Sequence, residues 1–331
     1  MADKVAPNDP RYQYKTANLN GITYGYMLAE PKGTPAGTIF LIHGFPDMSF
    51  GWRYQIPFLL SLGLRVVCPD MMGYGGTDAP EEPQYYTYKR AADDMAELAK
   101  QLGSSTIILG GHDWGGAVVY RIAMRYPKLI SALFSVCTPF FPPQEKFVPL
   151  TAAPNFKYQL QFQGRELEDA IVGEDKCRQF LNALYGGRTP DGQLGFDVTV
   201  GAKIDLLPTL SHTPLLSKEE LDFYAKQYAI HGMHGPLSWY RTGEINFAEE
   251  RDYLDFDNVV GKFDMPTLYI AGKRDSALPP KMSEGMERWF RSLTKGEVNA
   301  GHWALWEQSE AVNRYLREFL AGQISGLKAN L

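Results

Sequence analysis

Seven residues near the first third of the chain, Gly110-Gly-His-Asp-Trp-Gly-Gly116, constrain its fold more than any other segment. They follow the aliphatic run Thr106-Ile-Ile-Leu109 and precede a helical pattern, Gly116 to Tyr126, that Pro127 stops. A short run of aliphatic residues with no polar alternation reads as a strand buried on both faces, and the paired glycines let the chain turn sharply from that strand into the helix. The same alternation recurs along the chain. Gly37 to His43, Leu64 to Pro69, Ile130 to Cys137 and Pro266 to Ala271 read as buried strands. Tyr88 to Leu102, with Ala92, Met95, Leu98, Ala99 and Leu102 at helical spacing, Lys281 to Arg291 and Leu305 to Leu320 read as helices. Strand followed by helix, repeated, predicts a doubly wound, mostly parallel α/β sheet. Tyr12 to Ala29 alternates instead and is cut by Asn20-Gly21, which predicts an antiparallel hairpin at the sheet edge.

The pattern changes at Thr138-Pro-Phe-Phe-Pro-Pro143. From there to about Lys262 the sequence is rich in aromatics, Gly and Pro and has no β-branched run, with helical pieces at Glu166 to Ile171 and Ser217 to Ala229. This predicts a helical cap, residues 140–262, inserted into a core made of residues 1–139 and 263–331. The 33 basic and 38 acidic residues leave a net charge of −5 with no basic run, so no nucleic acid is expected as a partner. Cys68, Cys137 and Cys177 are odd in number and lack CxxC spacing, which argues against a disulfide framework or a zinc site. The first residues, MADKVAPNDPRYQYK, have no apolar core of a leader, and no stretch approaches the ~18 apolar residues of a membrane span. A soluble cytoplasmic protein is expected. The final Ala329-Asn-Leu331 departs from the Ser-Lys-Leu peroxisomal address at two positions and leaves that compartment open as an alternative. A homo-oligomer is also left open.

Within the glycine-flanked turn, Gly111-His-Asp-Trp-Gly115 has the form of a nucleophile elbow with aspartate at its centre. Asp113 needs no base to become a nucleophile, because a carboxyl of ordinary pKa near 3.9 is ionised at neutral pH. A carboxylate suits attack on an electrophilic sp3 carbon, giving an alkyl ester that water can cleave. In isolation such a turn more often merely caps a helix. Asp275, in Ala271-Gly-Lys-Arg-Asp275, and His302, in Asn299-Ala-Gly-His-Trp303, change that balance, since both follow strand signals late in the chain. The order nucleophile, acid, histidine leaves His302 to activate water while Asp275 orients it. His43 and His112 read as structural. His212, His231 and His234 offer no metal-ligand spacing, so no metal and no cofactor are expected.

With His43-Gly-Phe-Pro46, Trp52-Arg53 and Asp70-Met-Met-Gly-Tyr-Gly-Gly76 added to these motifs, most of the chain resembles an epoxide hydrolase of the α/β-hydrolase superfamily, similar to the soluble epoxide hydrolases. The resemblance implies the α/β-hydrolase fold, a triad of Asp113, His302 and Asp275, and an oxyanion hole from the backbone N–H groups of Phe45 and Trp114. It also implies two cap tyrosines that bind the epoxide oxygen. Tyr158, in Asn155-Phe-Lys-Tyr-Gln-Leu-Gln-Phe162, and Tyr240, in Leu237-Ser-Trp-Tyr-Arg241, match those patterns. Phenols suit the reaction because an opening epoxide releases an alkoxide, which takes up a proton, whereas a leaving halide takes none. Phe45, Trp114, Phe162 and Trp303 would line an apolar pocket for the epoxide. With 19 tyrosines in the chain, core packing is the plainer explanation of any one of them. A haloalkane or haloacid dehalogenase using the same Asp113, and a ligand-binding member of the fold without catalysis, remain the alternatives. An esterase is disfavoured because Asp113 stands where serine would.

Overall fold

The computed structural model describes residues 3–152, 156–253 and 262–323. Eight strands form one sheet: β1 (Gln13–Leu19), β2 (Ile22–Ala29), β3 (Gly37–Ile42), β4 (Leu64–Pro69), β5 (Ile107–His112), β6 (Ile130–Val136), β9 (Thr267–Gly272) and β10 (Leu293–Val298). They lie in the order β1-β2-β4-β3-β5-β6-β9-β10. From β4 to β10 every neighbour is parallel, and β1 and β2 make the antiparallel edge. The remaining strands, β7 (Phe196–Asp197) and β8 (Gly201–Ala202), form a separate two-residue ladder. The inner strands are covered on both faces: Ile39, Phe40, Leu41, Ile42 and Leu109 have no exposed surface. Burial of each such side chain stabilises the fold by about 1.5–3 kcal/mol, which explains why these runs carry no polar alternation.

Helices α1 (Gln55–Ser61), α2 (Tyr88–Gln101) and α3 (Trp114–Arg125) occur in the first half of the core, and α10 (Ala304–Glu307) and α11 (Ser309–Ala321) close it. Between β6 and β9 lie α4 (Tyr158–Gln163), α5 (Glu166–Ala170), α6 (Glu174–Leu184), α7 (Lys218–His231), α8 (His234–Ser238) and α9 (Gly243–Glu249), together with the short ladder. This inserted helical segment is tied to the sheet's loops by side chains. The capping box of α7 does double duty: Glu220 accepts from the Ser217 N–H at its N-terminus and pairs with the buried Arg53, 2.9 Å away, and with Lys4 at 2.7 Å. The Arg53 guanidinium lies over the Trp306 ring at 4.1 Å. Trp239 donates its indole N–H to the Met72 carbonyl at 3.0 Å.

Three expectations need correction. The segment Lys281 to Arg291 is not one helix but two 3-10 turns, Pro280–Ser283 and Met286–Trp289, separated at Gly285 in the left-handed region. The helix expected from Leu305 to Leu320 is broken at Gln308, whose extended φ of −135° divides α10 from α11. The strand expected to end at Leu109 continues to His112, because the glycines at 110 and 111 pair with Phe134 and Ser135 of β6. Asn155 and Lys328-Ala-Asn-Leu331 lie outside the described residues.

Candidate active site

Four loops at the carboxyl ends of β3, β5, β9 and β10 build the site, the edge where parallel strands of an open α/β sheet present ligands. Asp113 occupies the turn between β5 and α3 with φ of 54°, a left-handed conformation that a side chain rarely adopts. The turn survives because its neighbours fit closely. Any side chain on Gly115 would run into the Ile42 carbonyl, and one on Gly44 into the Asp113 carboxylate. The Asp113 carbonyl also accepts from the Thr138 hydroxyl at 2.8 Å. The turn therefore presents the carboxylate outward from the centre of the sheet.

One oxygen of that carboxylate, Oδ1, accepts the Phe45 N–H at 2.7 Å, and the neighbouring Trp114 N–H also favours the charged group. The other oxygen, Oδ2, is 3.2 Å from His302 Nε2. His302 Nδ1 lies 2.8 Å from Asp275 Oδ2, and the Ala277 and Leu278 N–H groups donate to Asp275 Oδ1 at 2.9 and 3.0 Å. Asp113, His302 and Asp275 are thus brought into one line of hydrogen-bonded charge. Burial alone would raise both carboxyls, but contact with His302 more than offsets it, leaving Asp113 below its ordinary value and Asp275 at about 2. Burial pushes His302 down, and the two carboxylates outweigh it, so the imidazole is held well above its ordinary value.

The inserted segment faces this line with phenols. Tyr158, on α4, and Tyr240, on a 3-10 turn Trp239–Arg241, border the same cavity as Asp113 and His302. The cavity measures about 490 Å3 and is also lined by Phe45, Phe162 and Trp303. Gln159 Nε2 donates to the Tyr158 hydroxyl at 3.3 Å, and the Tyr240 ring packs edge-on against those of Tyr158 and Trp114, with centroids 6.2 and 5.2 Å away. Burial and the nearby Asp113 charge raise both phenols, so they stay protonated through the neutral range. Trp114 differs from the expectation: its side chain lines not this cavity but an adjoining cleft of about 650 Å3 on the other side of Tyr240, with Phe147 and Leu160.

Residues 37–172 and 207–309 match the family model of the α/β hydrolase fold. Epoxide hydrolase srdG of Neurospora crassa is 40% identical, with 96% of this chain and 98% of that protein covered. This chain belongs to the epoxide hydrolases of the α/β-hydrolase superfamily. Bifunctional epoxide hydrolase 2 of Mus musculus is 32% identical over 93% of this chain, which spans 57% of that longer protein. The crystal structure of Epoxide Hydrolase A from Mycobacterium thermoresistibile superposes with a TM-score of 0.79 at 30% identity, covering 94% of this chain and 98% of that one.

Several residues of this epoxide hydrolase's site carry no signal of their own in the sequence. His112, beneath the turn, shares a 2.7 Å hydrogen bond between its Nε2 and the His302 carbonyl, and so anchors the histidine loop. Glu307 accepts the Gly301 N–H at 3.0 Å and pairs with Arg274 at 3.0 Å, tying the same loop from the other side. Among the described residues the one group with metal-ligand spacing is His112, Cys137 and His302, with atoms within 4.8 Å of one another. Most of its ligating atoms are otherwise engaged: His112 Nε2 and the Cys137 thiol bond the His302 carbonyl and the His302 nitrogens face Asp275 and Asp113, while His112 Nδ1 is buried without a hydrogen-bond partner among the described residues. Among the described residues no helix is long and apolar enough to cross a membrane.

Proposed function

We propose that this protein hydrolyses apolar epoxides to vicinal diols through a covalent ester on Asp113. The observation that carries this reading is the setting of one carboxylate. Oδ1 accepts the Phe45 N–H, Oδ2 lies beside His302, and two phenols border the same apolar cavity. Asp113 Oδ2 attacks a ring carbon, the carbon–oxygen bond breaks, and the departing oxygen takes a proton supplied through Tyr158 and Tyr240. Esterification removes the Asp113 charge, one of the two that raise the proton affinity of His302. The proton affinity of the imidazole then falls, which favours its acting as a base at the stage that needs one. Water, activated by His302 with Asp275 orienting the ring, adds to the ester carbonyl, and the charge that forms on Oδ1 is met by Phe45 and Trp114 N–H.

In this reading residues 140–262 act as one cap domain over a core of residues 1–139 and 263–331. The cavity and the cleft meet at Tyr240, which favours epoxides with apolar substituents on either ring carbon. Three buried cysteines without disulfides support a reducing, cytoplasmic setting. The test is a single turnover of styrene oxide in heavy-oxygen water with enzyme in excess. Label should enter the Asp113 carboxylate while the first diol stays unlabelled. Label in that diol would sink the ester route, and halide release from alkyl halides without any epoxide turnover would transfer the chemistry to dehalogenation.

A further inference from the structure

We propose that Tyr185 and Tyr224 are positioning residues for ester hydrolysis, holding the loop that bears the Phe45 N–H from the side of the inserted helices. The proposal rests on the epoxide-hydrolase reading above. The loop leaves β3 at His43 and is anchored on the core side by that histidine, whose Nδ1 bonds the Gly44 carbonyl at 2.8 Å while Nε2 accepts the Met71 N–H at 2.9 Å. On the opposite side two phenols grip consecutive residues. Tyr185, at the end of α6, donates to the Pro46 carbonyl at 3.0 Å. Tyr224, on α7, donates at 2.6 Å to Asp47 Oδ1, which also accepts the Met48 N–H at 2.8 Å. Proline has no N–H, so the carbonyl is the one backbone hydrogen-bonding group that Pro46 offers, and Tyr185 occupies it. Both phenols are fully buried, and Asp47 is 1% exposed. The Tyr185 ring also packs edge-on against Trp303, centroids 4.7 Å apart, next to His302. One side chain of the inserted segment therefore touches both the loop of the oxyanion donor and the loop of the base.

The two chemical steps make unequal demands on that loop. In ring opening Asp113 begins as a carboxylate and ends as a neutral ester, so charge leaves the Phe45 N–H. In hydrolysis the water oxygen bonds to Cγ, its proton passes to His302 Nε2, and the carbonyl electron pair collects on Oδ1. The tetrahedral oxyanion then expels the diol oxygen, which takes the proton back from His302. Charge on Oδ1 grows only in this second step, so a slackened loop slows hydrolysis and spares ester formation.

Acid-quenched single turnovers of styrene oxide, with the ester measured by intact mass, separate the two rates. Tyr185→Phe and Tyr224→Phe should each hydrolyse the ester about tenfold more slowly while forming it within about twofold of the wild-type rate. In steady state kcat and KM should fall together and kcat/KM should hold. Tyr228→Phe is the control: this residue lies on the same α7, and its buried hydroxyl has no hydrogen-bond partner among the described residues, so both rates should stay at wild type. The two hydroxyls sit on different helices, and either variant alone decides the matter if the other does not fold. Unchanged hydrolysis in the variants, or equal slowing of both steps, overturns the positioning role. If the wild type forms ester and the variants do not shift the balance, this proposal alone fails; a wild type that forms no ester removes the epoxide reading with it.

Discussion

The two sides of the cavity are built on different principles. Asp113, His302 and Asp275 sit at the ends of sheet strands, and each is fixed by backbone donors or by another member of the line: Phe45 N–H on Asp113, Ala277 and Leu278 N–H on Asp275, His302 between them. Tyr158 and Tyr240 come from a six-residue helix and a three-residue turn, and are positioned by side-chain packing against Phe162 and Trp114. One side handles charge and is preorganised by the sheet; the other is neutral and depends on how short helices pack. If the proposed ester route holds, the contrast means that ring opening and ester cleavage can be damaged separately, although both would use one carboxylate.

The strongest way to break that contrast is to remove the shared group. Asp113→Ala should lower diol formation from styrene oxide by at least about 10³-fold, with native circular dichroism retained. Appreciable residual turnover would mean that water can be activated directly on the epoxide. His302→Gln tests the charged side alone. Ester should form and then persist, so intact mass rises by the mass of the epoxide while steady-state turnover falls by about 10²–10⁴-fold. Failure to trap the ester would place His302 in ring opening instead. The neutral side is tested by Tyr158→Phe and Tyr240→Phe. Each should slow ester formation by about 10–100-fold, with the double variant slower still, and leave hydrolysis of preformed ester near wild type. A variant that slows both steps alike would erase the division.

The same contrast decides how much could be read from the sequence. Strands β3, β4, β5, β6 and β9 are buried on both faces, so their residues form aliphatic runs visible without a structure. The elbow glycines and the order of Asp113, Asp275 and His302 are equally local. In segment 281–291 Met282, Met286 and Phe290 lie at helical spacing, but Gly285 takes a left-handed turn among them and the segment is not one helix. The division at Gln308 is likewise invisible in an uninterrupted apolar stripe. Tyr185 and Tyr224 cannot be singled out by pattern, because what distinguishes them is a hydroxyl reaching Pro46 and Asp47, far away in the chain. Trp114 follows Asp113 directly in sequence, but the first turn of α3 carries its ring round to the cleft beyond Tyr240.

The smallest expected effect concerns stability, and it bears on the charged side only. Asp275 is held at about 2, below an ordinary 3.8, which corresponds to roughly 2 kcal/mol of stabilisation at neutral pH. Because the native value is depressed, this contribution is present above pH 3.8 and disappears as pH falls toward 2. His302 runs the other way: its native value is raised above 6.5, so its contribution is complete below that pH and is lost as pH climbs through the raised value. Urea unfolding of the wild type and of Asp275→Asn should therefore differ most between about pH 4 and 6.5 and converge on the acid side. Tyr158→Phe, which removes a group that stays neutral throughout this range, should instead shift stability by an amount independent of pH. A wild-type advantage over Asp275→Asn that is flat from pH 3 to 8 would mean the line of charge is not coupled in the folded protein, and the separation between an ionised sheet side and a neutral side of inserted helices would have to be abandoned.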